Sequence, residues 1–368
     1  MTETTSLRLA SANGPVTRTI QKTPLRDASP SEIPIIDVSD IYSPSIEARK
    51  AVAATVREAS ANTGFFYIKN HGIDESVPQA AYQSTLDFFR QDLPTKMEAE
   101  TSKSKYQNGY QPTKTQRVNA DEGIDFRESF FWRYDARIDP DFTSEDNLPE
   151  AAKKHLMCED FIQEKTKNLP HFVPALQTHF VACLKLARAL TRTFALSLNL
   201  DEDFFDAKCV YPEASFTLNY YPPIENPKQS PEGEVSIGSH TDFQFFTILW
   251  QDQVGGLQVL SREGQWIRAT PIEGTFVVNI ADYMQRITND LYVSTVHRAQ
   301  NWSGKERVSL PFFWGFGLHE SCGVLDNCIR EGERAKYEEI NCEDWVNKRM
   351  DYMFAVNDEV DAEKVNGK

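Results

Sequence analysis

Short runs of β-branched and aromatic residues follow one another between residues 209 and 320, separated by glycine, proline and asparagine. Residues 215–221 (SFTLNYY), 275–280 (TFVVNI) and 307–316 (RVSLPFFWGF) are typical. Runs of this length and composition form strands, and their close succession indicates an antiparallel sandwich or barrel. The sequence therefore predicts a mainly β protein whose helices flank this core.

The segments around the core are predicted from their periodicity and polarity. Residues 33–208 mix short strand patterns with helical spacing, which is most sustained over residues 171–199, and we expect this region to pack on the core. Residues 321–368 return to a charged helical pattern and predict a C-terminal helical segment. Residues 1–32 are rich in serine, threonine, proline and charge, and we predict that they form a disordered tail.

The composition limits the classes of partner. The formal net charge of −15 at pH 7 disfavours binding to nucleic acid or to an anionic membrane. No apolar run is long enough to predict a signal peptide or a membrane span. The six cysteines form no C-x-x-C pair, which indicates free thiols in a reducing compartment, and we predict a cytoplasmic protein. The sequence leaves the oligomeric state open.

His240 and Asp242 are candidate metal ligands because residues i and i+2 of a strand project from the same face. One imidazole and one carboxylate provide two of the three ligands of the facial triad that binds Fe(II) in non-haem proteins. The pair alone is a weak signal, but His297 lies in another predicted strand of the core. We therefore predict that these three side chains bind one metal ion and act in catalysis through it.

Arg307 and Ser309 are a candidate anion site, because they also lie two residues apart in a predicted strand. An arginine fork matches a carboxylate in bidentate geometry, and a serine hydroxyl adds another donor. A dicarboxylate cosubstrate needs such a pair at the end that lies away from the metal.

With these motifs in order, the chain resembles the iron(II)- and 2-oxoglutarate-dependent dioxygenases of the isopenicillin N synthase-like family. The resemblance covers nearly all of residues 33–345, through IPIIDVS, GFFYIKNHGI, LNYYPP, SHTDFQFFTIL, DQVGGLQVL, GTFVVNIADYMQRITND, VSTVHRA and RVSLPFFWGF. It implies a double-stranded β-helix, or jelly roll, with helices packed outside. It also implies that Fe(II), 2-oxoglutarate and O2 are the cofactor and cosubstrates, and that His240, Asp242 and His297 are the iron ligands.

The resemblance assigns further residues to the cosubstrate. It implies that Arg307, Ser309 and Tyr221 contact the distal carboxylate of 2-oxoglutarate, and that Asn219 lies near this cosubstrate. The implied reaction oxidises a C–H bond of a small, partly apolar metabolite by hydroxylation, desaturation or ring rearrangement, with release of succinate and CO2.

Four residues are candidate substrate contacts. The family suggests Phe243, although strict strand alternation would turn it away from the metal unless the chain bends after Asp242. Phe245 and Phe131 are further aromatic candidates, and all three phenylalanines could instead be core packing. Arg127 could pair with an anionic substrate or form a structural ion pair with Asp125 or Glu128.

Three alternatives stay open at this point. An oxidase of the same fold could act without 2-oxoglutarate and use the arginine and serine to hold its substrate. A jelly-roll protein without catalytic activity would not need a complete set of iron and cosubstrate residues. A zinc hydrolase could use two histidines and an aspartate, but it would leave Arg307 and Ser309 without a task.

Overall fold

The computed structural model describes residues 3–224 and 235–365. Residues 1–2 of the predicted tail, 225–234 of the predicted core and 366–368 of the C-terminal segment lie outside the described part of the chain. The strands are β1 (Thr4–Ser11), β2 (Gly14–Gln21), β3 (Arg26–Asp27), β4 (Ile35–Asp37), β5 (Phe65–Lys69), β6 (Gly109–Gln111), β7 (Glu128–Arg133), β8 (Glu213–Tyr221), β9 (Ile237–His240), β10 (Phe246–Gln251), β11 (Leu257–Leu260), β12 (Trp266–Arg268), β13 (Thr275–Ile280), β14 (His297–Ala299), β15 (Arg307–Gly315), β16 (Ser321–Cys322) and β17 (Ile340–Asn341). The helices are α1 (Ile46–Asn62), α2 (Ser76–Phe89), α3 (Leu93–Met97), α4 (Glu150–Lys153), α5 (Phe161–Lys165), α6 (Phe172–Ser197), α7 (Asp282–Ile287) and α8 (Cys342–Val365).

Two sheets form the core. Among the described residues, the larger sheet has the strand order β4-β5-β13-β10-β15-β8-β7-β6, and the smaller has β3-β12-β11-β14-β9. Apolar side chains of both sheets, such as Phe65, Val277 and Val259, pack in one cluster between them. The sheets therefore form the predicted jelly roll, and the expectation of a double-stranded β-helix with flanking helices is confirmed.

Helices cover the outer face of the larger sheet. α6 carries apolar residues at helical spacing, including Leu176, Phe180 and Leu184, all fully buried. Phe180 packs edge-on against Phe312 of β15, with ring centroids 5.2 Å apart. This long helix, predicted over residues 171–199, therefore buries its apolar stripe against the sheet that carries the site.

β15 shows how alternation separates the two faces of the larger sheet. Val308, Leu310, Phe312 and Trp314 point into the apolar core under the helices, whereas Arg307, Ser309, Pro311 and Phe313 line a cavity between the sheets. Because the side-chain period of a strand is two, one strand supplies both the core and the site.

The region that precedes the β core extends the larger sheet at both ends. β4 and β5 lie beyond β13, and β7 and β6 lie beyond β8. Residues 33–208 therefore share a sheet with the core strands as well as packing helices upon them.

The prediction of a disordered tail over residues 1–32 is wrong for most of its length. β1 and β2 form an antiparallel hairpin, and β3 pairs with β12 of the smaller sheet. Leu7, Leu9 and Ile20 are buried against Leu260 and Trp266 of that sheet. The segment is polar on average but alternates in polarity, so one face of the hairpin buries enough apolar surface to be ordered.

The predicted C-terminal helix is confirmed as α8, which packs against β1 and β2. Arg349 of this helix is fully buried and donates a 2.6 Å hydrogen bond to Asp282 at the start of α7. In residues 3–224 and 235–365, no helix is long and apolar enough to cross a membrane.

Candidate active site

His240, Asp242 and His297 lie together at one end of the smaller sheet. His240 ends β9 and His297 begins β14, and the two are direct cross-strand partners. Asp242 follows two residues after the end of β9, where its backbone oxygen accepts a 2.9 Å hydrogen bond from the Asp282 N–H. Strand pairing thus brings together two histidines that are far apart in sequence, and a turn positions the carboxylate beside them.

The three side chains turn their ligand atoms toward a common point. His240 Nε2 and His297 Nε2 each lie 3.7 Å from Asp242 Oδ1, and one ligand atom from each residue lies within 4.8 Å of the others. His240 Nδ1 donates to the Gly238 carbonyl at 2.8 Å, and His297 Nδ1 donates to the Thr295 carbonyl at 3.1 Å. Since a carbonyl only accepts, these bonds fix the tautomer that leaves both Nε2 lone pairs free for a metal ion.

The second oxygen of Asp242 is held by neighbouring strands. Asp242 Oδ2 accepts hydrogen bonds from Thr247 Oγ1 at 2.5 Å and from Asn279 Nδ2 at 2.8 Å. These bonds orient the carboxylate so that Oδ1 faces the two imidazoles, as outer partners do in metal sites.

The charge states of these groups also suit a cation. Burial, together with repulsion from His297, lowers the pKa of His240 to about 3. Burial acts to raise the pKa of Asp242, but the two histidines and the hydrogen bonds from Asn279 and Thr247 hold it below its usual value. Near neutral pH the imidazole of His240 is therefore neutral and the Asp242 carboxylate is ionised, which are the forms that bind metal.

A cavity of about 150 Å³ extends from the histidines toward β15 and β8. Arg307 is 1% exposed there, and its Nε and Nη1 have no hydrogen-bond partner, while Nη2 lies 3.4 Å from Gln251 Oε1. The Tyr221 hydroxyl lies 3.1 Å from Ser309 Oγ, and the Arg307 guanidinium lies over the Tyr221 ring at 4.5 Å. A buried guanidinium with unpaired donors is costly, so this arrangement calls for an anion.

Asn219 and Arg127 line the same cavity and contact each other. The Asn219 side-chain oxygen accepts from Arg127 Nη1 and, at 3.1 Å, from Ser129 Oγ. Arg127 also donates to Gln116, and its Nε lies 3.6 Å from Asp125 Oδ2. Of the two uses expected for Arg127, the structure shows the ion pair with Asp125, whereas Glu128 pairs with Lys96.

A second cavity, of about 290 Å³, opens on the other side of His240 and Asp242. Its walls come from β1, β8, β15, the turn after β9 and α8. Its accessible surface is largely apolar, with Leu9, Phe313, Met353 and Val356 among the residues. Its polar residues include Arg127, Glu213, Gln244 and Arg349. Both cavities thus meet at the metal ligands.

The three predicted aromatic contacts have different positions. The chain leaves the strand between His240 and Phe246, and this bend lets Phe243 line the larger cavity, where the Arg349 guanidinium lies 4.5 Å over its ring. Phe131 lines the smaller cavity instead. The prediction for Phe245 is wrong, because this residue is fully buried among Phe194, Phe205 and Phe316 and lines neither cavity.

Sequence reasoning missed several residues of the larger cavity. Leu9 lies in the segment that its polarity predicts to be disordered, and Arg349 lies in a helix whose charged pattern is typical of a solvated face. Gln244 lies inside the SHTDFQFFTIL motif but its residue type indicates no role there, and Glu213 precedes the strand pattern SFTLNYY. For Gln244, its place two residues after Asp242 was the signal that could have indicated the site.

The donor set fits one metal ion and one dicarboxylate. Two imidazole nitrogens and one carboxylate oxygen within 4.8 Å of one another match the donor set of the facial triad that binds non-haem Fe(II). The unpaired donors of Arg307, with Ser309 and Tyr221 beside them, fit the distal carboxylate of 2-oxoglutarate.

Two family descriptions match the chain. The 2OG-Fe(II) oxygenase superfamily matches residues 212–315, and the family described as non-haem dioxygenase in morphine synthesis N-terminal matches residues 33–155. These segments contain the jelly-roll strands and the strands and helices that precede them.

Individual proteins are similar over most of their length. A Metarhizium majus protein described as 2-oxoglutarate-Fe(II) type oxidoreductase ppzC is 57% identical over 97% of this chain and 96% of its own. The Emericella nidulans 2-oxoglutarate-Fe(II) type oxidoreductase hxnY is 31% identical over 86% of this chain and 89% of its own. A crystal structure of a full-length Neurospora crassa protein in complex with alpha-KG (2-oxoglutarate) and thymine is 26% identical, with a TM-score of 0.69 over 86% of this chain and 96% of that one.

Proposed function

Because the chain belongs to the 2OG-Fe(II) oxygenase superfamily, we propose that His240, Asp242 and His297 bind its iron ion. The protein is an Fe(II)- and 2-oxoglutarate-dependent oxygenase that uses O2. The observation that carries the assignment is the convergence of two fixed Nε2 lone pairs and one carboxylate oxygen. Three ligands on one side of the ion leave its other side open to the cosubstrate.

The cosubstrate occupies the smaller cavity in this proposal. Arg307 pairs with the distal carboxylate of 2-oxoglutarate through Nε and Nη1, which otherwise lack partners. Ser309 and Tyr221 donate to the same group, and Asn219 holds Arg127 at the boundary with the larger cavity. The cavity then excludes water from one side of the iron.

The larger cavity receives the substrate, because it meets the smaller one at His240 and Asp242. Bound iron, 2-oxoglutarate and O2 together supply the oxidising power that removes hydrogen from a C–H bond, with release of succinate and CO2. Phe243 and the apolar residues of the wall hold the substrate with its C–H bond toward the ligands and exclude water. A volume of about 290 Å³ suits a small molecule, and the similar Neurospora crassa protein binds thymine.

An anaerobic titration with Fe(II) and 2-oxoglutarate tests the site. Binding of the 2-oxo acid to the iron gives a visible charge-transfer absorption, and exposure to O2 then gives succinate. Arg307→Met should weaken this absorption by raising the Kd of 2-oxoglutarate, and His297→Ala should abolish it. Product formation without succinate would instead indicate an oxidase that does not use 2-oxoglutarate.

We also propose a cytoplasmic location. All six cysteines are unpaired, and five of them are buried, which is usual for proteins of reducing compartments. Cell fractionation tests this, and recovery of the protein in a secreted or organelle fraction would contradict it.

A further inference from the structure

Most polar groups in the wall of the larger cavity are already paired. Arg349 donates to Asp282 and Thr241, Asn119 donates to two backbone carbonyls, and Thr247 donates to Asp242. Arg349 Nη1, Arg127 Nε and Ser239 Oγ remain unpaired, but each of these residues offers a single atom. These groups leave little polar surface for a ligand.

Gln244 is different, because both ends of its amide are unpaired. The side chain is 6% exposed, and neither Nε2 nor Oε1 has a hydrogen-bond partner. Burial of an amide without hydrogen bonds is costly, and such groups are rare in folded proteins. The cost is explained if a ligand in the larger cavity supplies the missing donor and acceptor.

The position of Gln244 is fixed by its surroundings. Its backbone oxygen accepts hydrogen bonds from the Tyr283 and Met284 N–H groups at 3.0 and 3.3 Å. Its side chain lies against Gly315, where a Cβ atom would come within 2.9 Å of both Gln244 Cβ and Cδ. Gly315 therefore leaves the space that the amide occupies, and the amide is held in place before any ligand binds.

Glu213 lies beside the same glycine. It is the direct cross-strand partner of Gly315, and alternation along β8 turns it toward the cavity, while Ala214 joins the core under the helices. No hydrogen bond or ion pair of its carboxylate within 4.0 Å is found among the described residues, and burial raises its pKa. The cavity thus has a second acceptor next to the amide.

The charges disfavour an anionic ligand at this wall. Arg127 faces Asp125, and Arg349 is paired with Asp282. Arg133 acts to lower the pKa of Glu213, but burial outweighs it. An ionised carboxylate also has no donor for Gln244 Oε1. A neutral group that carries an acceptor and an N–H donor side by side satisfies both ends of the glutamine amide.

We propose that Gln244 selects a substrate with a cis amide, such as a lactam, and that Glu213 accepts a further N–H of the substrate where one is present. The inference rests on the proposed function, since it takes the larger cavity as the substrate site. Gln244 accepts from the lactam N–H and donates to the lactam C=O, so the ring lies against the apolar wall. A lactone or an N-methyl lactam lacks the N–H and leaves Gln244 Oε1 unpaired.

The first measurement needs neither iron nor substrate. In Gln244→Met, the polar amide is replaced by a thioether of similar length, so the ligand-free protein should melt at the same or a higher temperature than the wild type. A purely structural glutamine with partners would instead lose stability on this change. Gln163→Met is the matched control, because Gln163 Oε1 is likewise buried without a partner but lines neither cavity.

The second measurement compares three bicyclic probes on protein loaded with Fe(II) and 2-oxoglutarate under argon: the lactam dihydrocarbostyril, its N-methyl derivative and the lactone dihydrocoumarin. Binding is followed by the change in the charge-transfer absorption and by calorimetry. The wild type should prefer the lactam by roughly ten- to a hundred-fold, because each analogue leaves a buried acceptor unpaired. Gln244→Met should lose the preference, and Gln163→Met should keep it.

Gln244→Leu gives a second variant of similar size that lacks both the acceptor and the donor of the amide, and it should also lose the lactam preference if Gln244→Met does not fold. Equal binding of lactam and lactone by the wild type, no binding of any probe, or a preference that survives in both variants would overturn the inference. Absence of the charge-transfer absorption before any probe is added would contradict the proposed iron and 2-oxoglutarate site, so the two failures are distinguishable.

Discussion

The two cavities that meet at His240 and Asp242 are built in different ways. The smaller takes its polar residues from core strands, with Arg307 and Ser309 on β15 and Tyr221 on β8. The larger takes its walls from segments that are distant in sequence, including β1, the turn after β9 and α8. The proposed iron and cosubstrate sites thus belong to the jelly roll itself, whereas the proposed substrate site is completed by the N-terminal hairpin and α8.

Because of this difference, binding of 2-oxoglutarate and selection of the substrate depend on different parts of the chain in the proposed function. The smaller cavity contains an unpaired guanidinium and calls for an anion, and the larger contains an unpaired amide and a carboxylate and disfavours one. Changes to the N-terminal hairpin or to α8 can therefore alter the substrate without altering the use of 2-oxoglutarate.

The largest effect is expected at the three predicted metal ligands, two of which line both cavities. His297→Ala removes one of three ligands, so iron content and succinate formation should fall by more than the roughly 10–100-fold that loss of an outer partner costs. Metal analysis and a succinate assay measure this, with the exposed His171→Ala as the control. Normal iron content in His297→Ala would contradict the predicted triad.

A large effect on stability is expected at the end of the larger cavity. Arg349→Met leaves Asp282 buried without its cation, and loss of one partner of a buried ion pair costs about 3–5 kcal/mol. Urea unfolding should show this loss, and the additional change Asp282→Asn should recover much of it. Lys348→Met, on the exposed side of the same helix, should have little effect, and an equal loss there would contradict the role of the pair.

Arg307→Met should change binding in the smaller cavity and leave binding in the larger cavity unchanged. The Kd of 2-oxoglutarate should rise roughly a hundred-fold, since a charge-assisted bidentate contact is lost. The lactam preference should stay, because Arg307 does not line the larger cavity. Calorimetry measures the Kd of 2-oxoglutarate. Lys305→Met, at an exposed residue of the loop before β15, is the control. Unchanged affinity for 2-oxoglutarate would place its carboxylate elsewhere.

A smaller effect is expected when a residue that orients the Asp242 carboxylate is changed. Asn279→Ala removes the 2.8 Å hydrogen bond to Asp242 Oδ2, and iron affinity should fall roughly 10–100-fold. Anaerobic Fe(II) titration measures the change. Thr275→Val on the same strand removes a hydroxyl that bonds only to the Ile272 carbonyl and should leave the iron affinity unchanged. A similar loss in both variants would indicate a general effect on β13.

The smallest effect concerns Glu213 and depends on pH. Burial raises its pKa above the usual 4.5, so the folded state prefers the protonated form. The stability that the protonated Glu213 side chain contributes to the fold is complete below pH 4.5. This stability is lost as pH rises through the raised pKa of the folded state. Glu213→Gln should therefore melt higher than the wild type at neutral pH, with a difference that shrinks toward pH 4.5. The exposed Glu58→Gln should show no such trend, and a difference independent of pH would contradict the burial of the charge.

Strand periodicity explains why much of the site could be predicted. Arg307 and Ser309 lie two residues apart on one strand and line one cavity, as their spacing indicates. His240 and His297 are cross-strand partners, which follows once both are assigned to strands of one sheet. Asp242 lies beyond the end of β9, so its approach to His240 depends on a turn as well as on alternation.

The same reasoning fails where distant segments meet. Phe245 and Phe243 are of the same residue type and two positions apart, but the bend after His240 turns one into the core and the other into a cavity. The hairpin of β1 and β2 is ordered by contacts with residues about 250 positions away, such as Leu260. Average polarity over a window does not register such contacts.

The sequence by itself determined the β core, its long outer helix and the ligand types for iron and a dicarboxylate, because these follow from local periodicity and side-chain chemistry. Only the tertiary structure decided the form of the substrate cavity. There the N-terminal hairpin, α8 and the turn after β9 bring Leu9, Arg349 and Gln244 to one wall. Which polar groups remain unpaired depends on every neighbour in three dimensions, so the selection of the substrate is a property of the assembled fold.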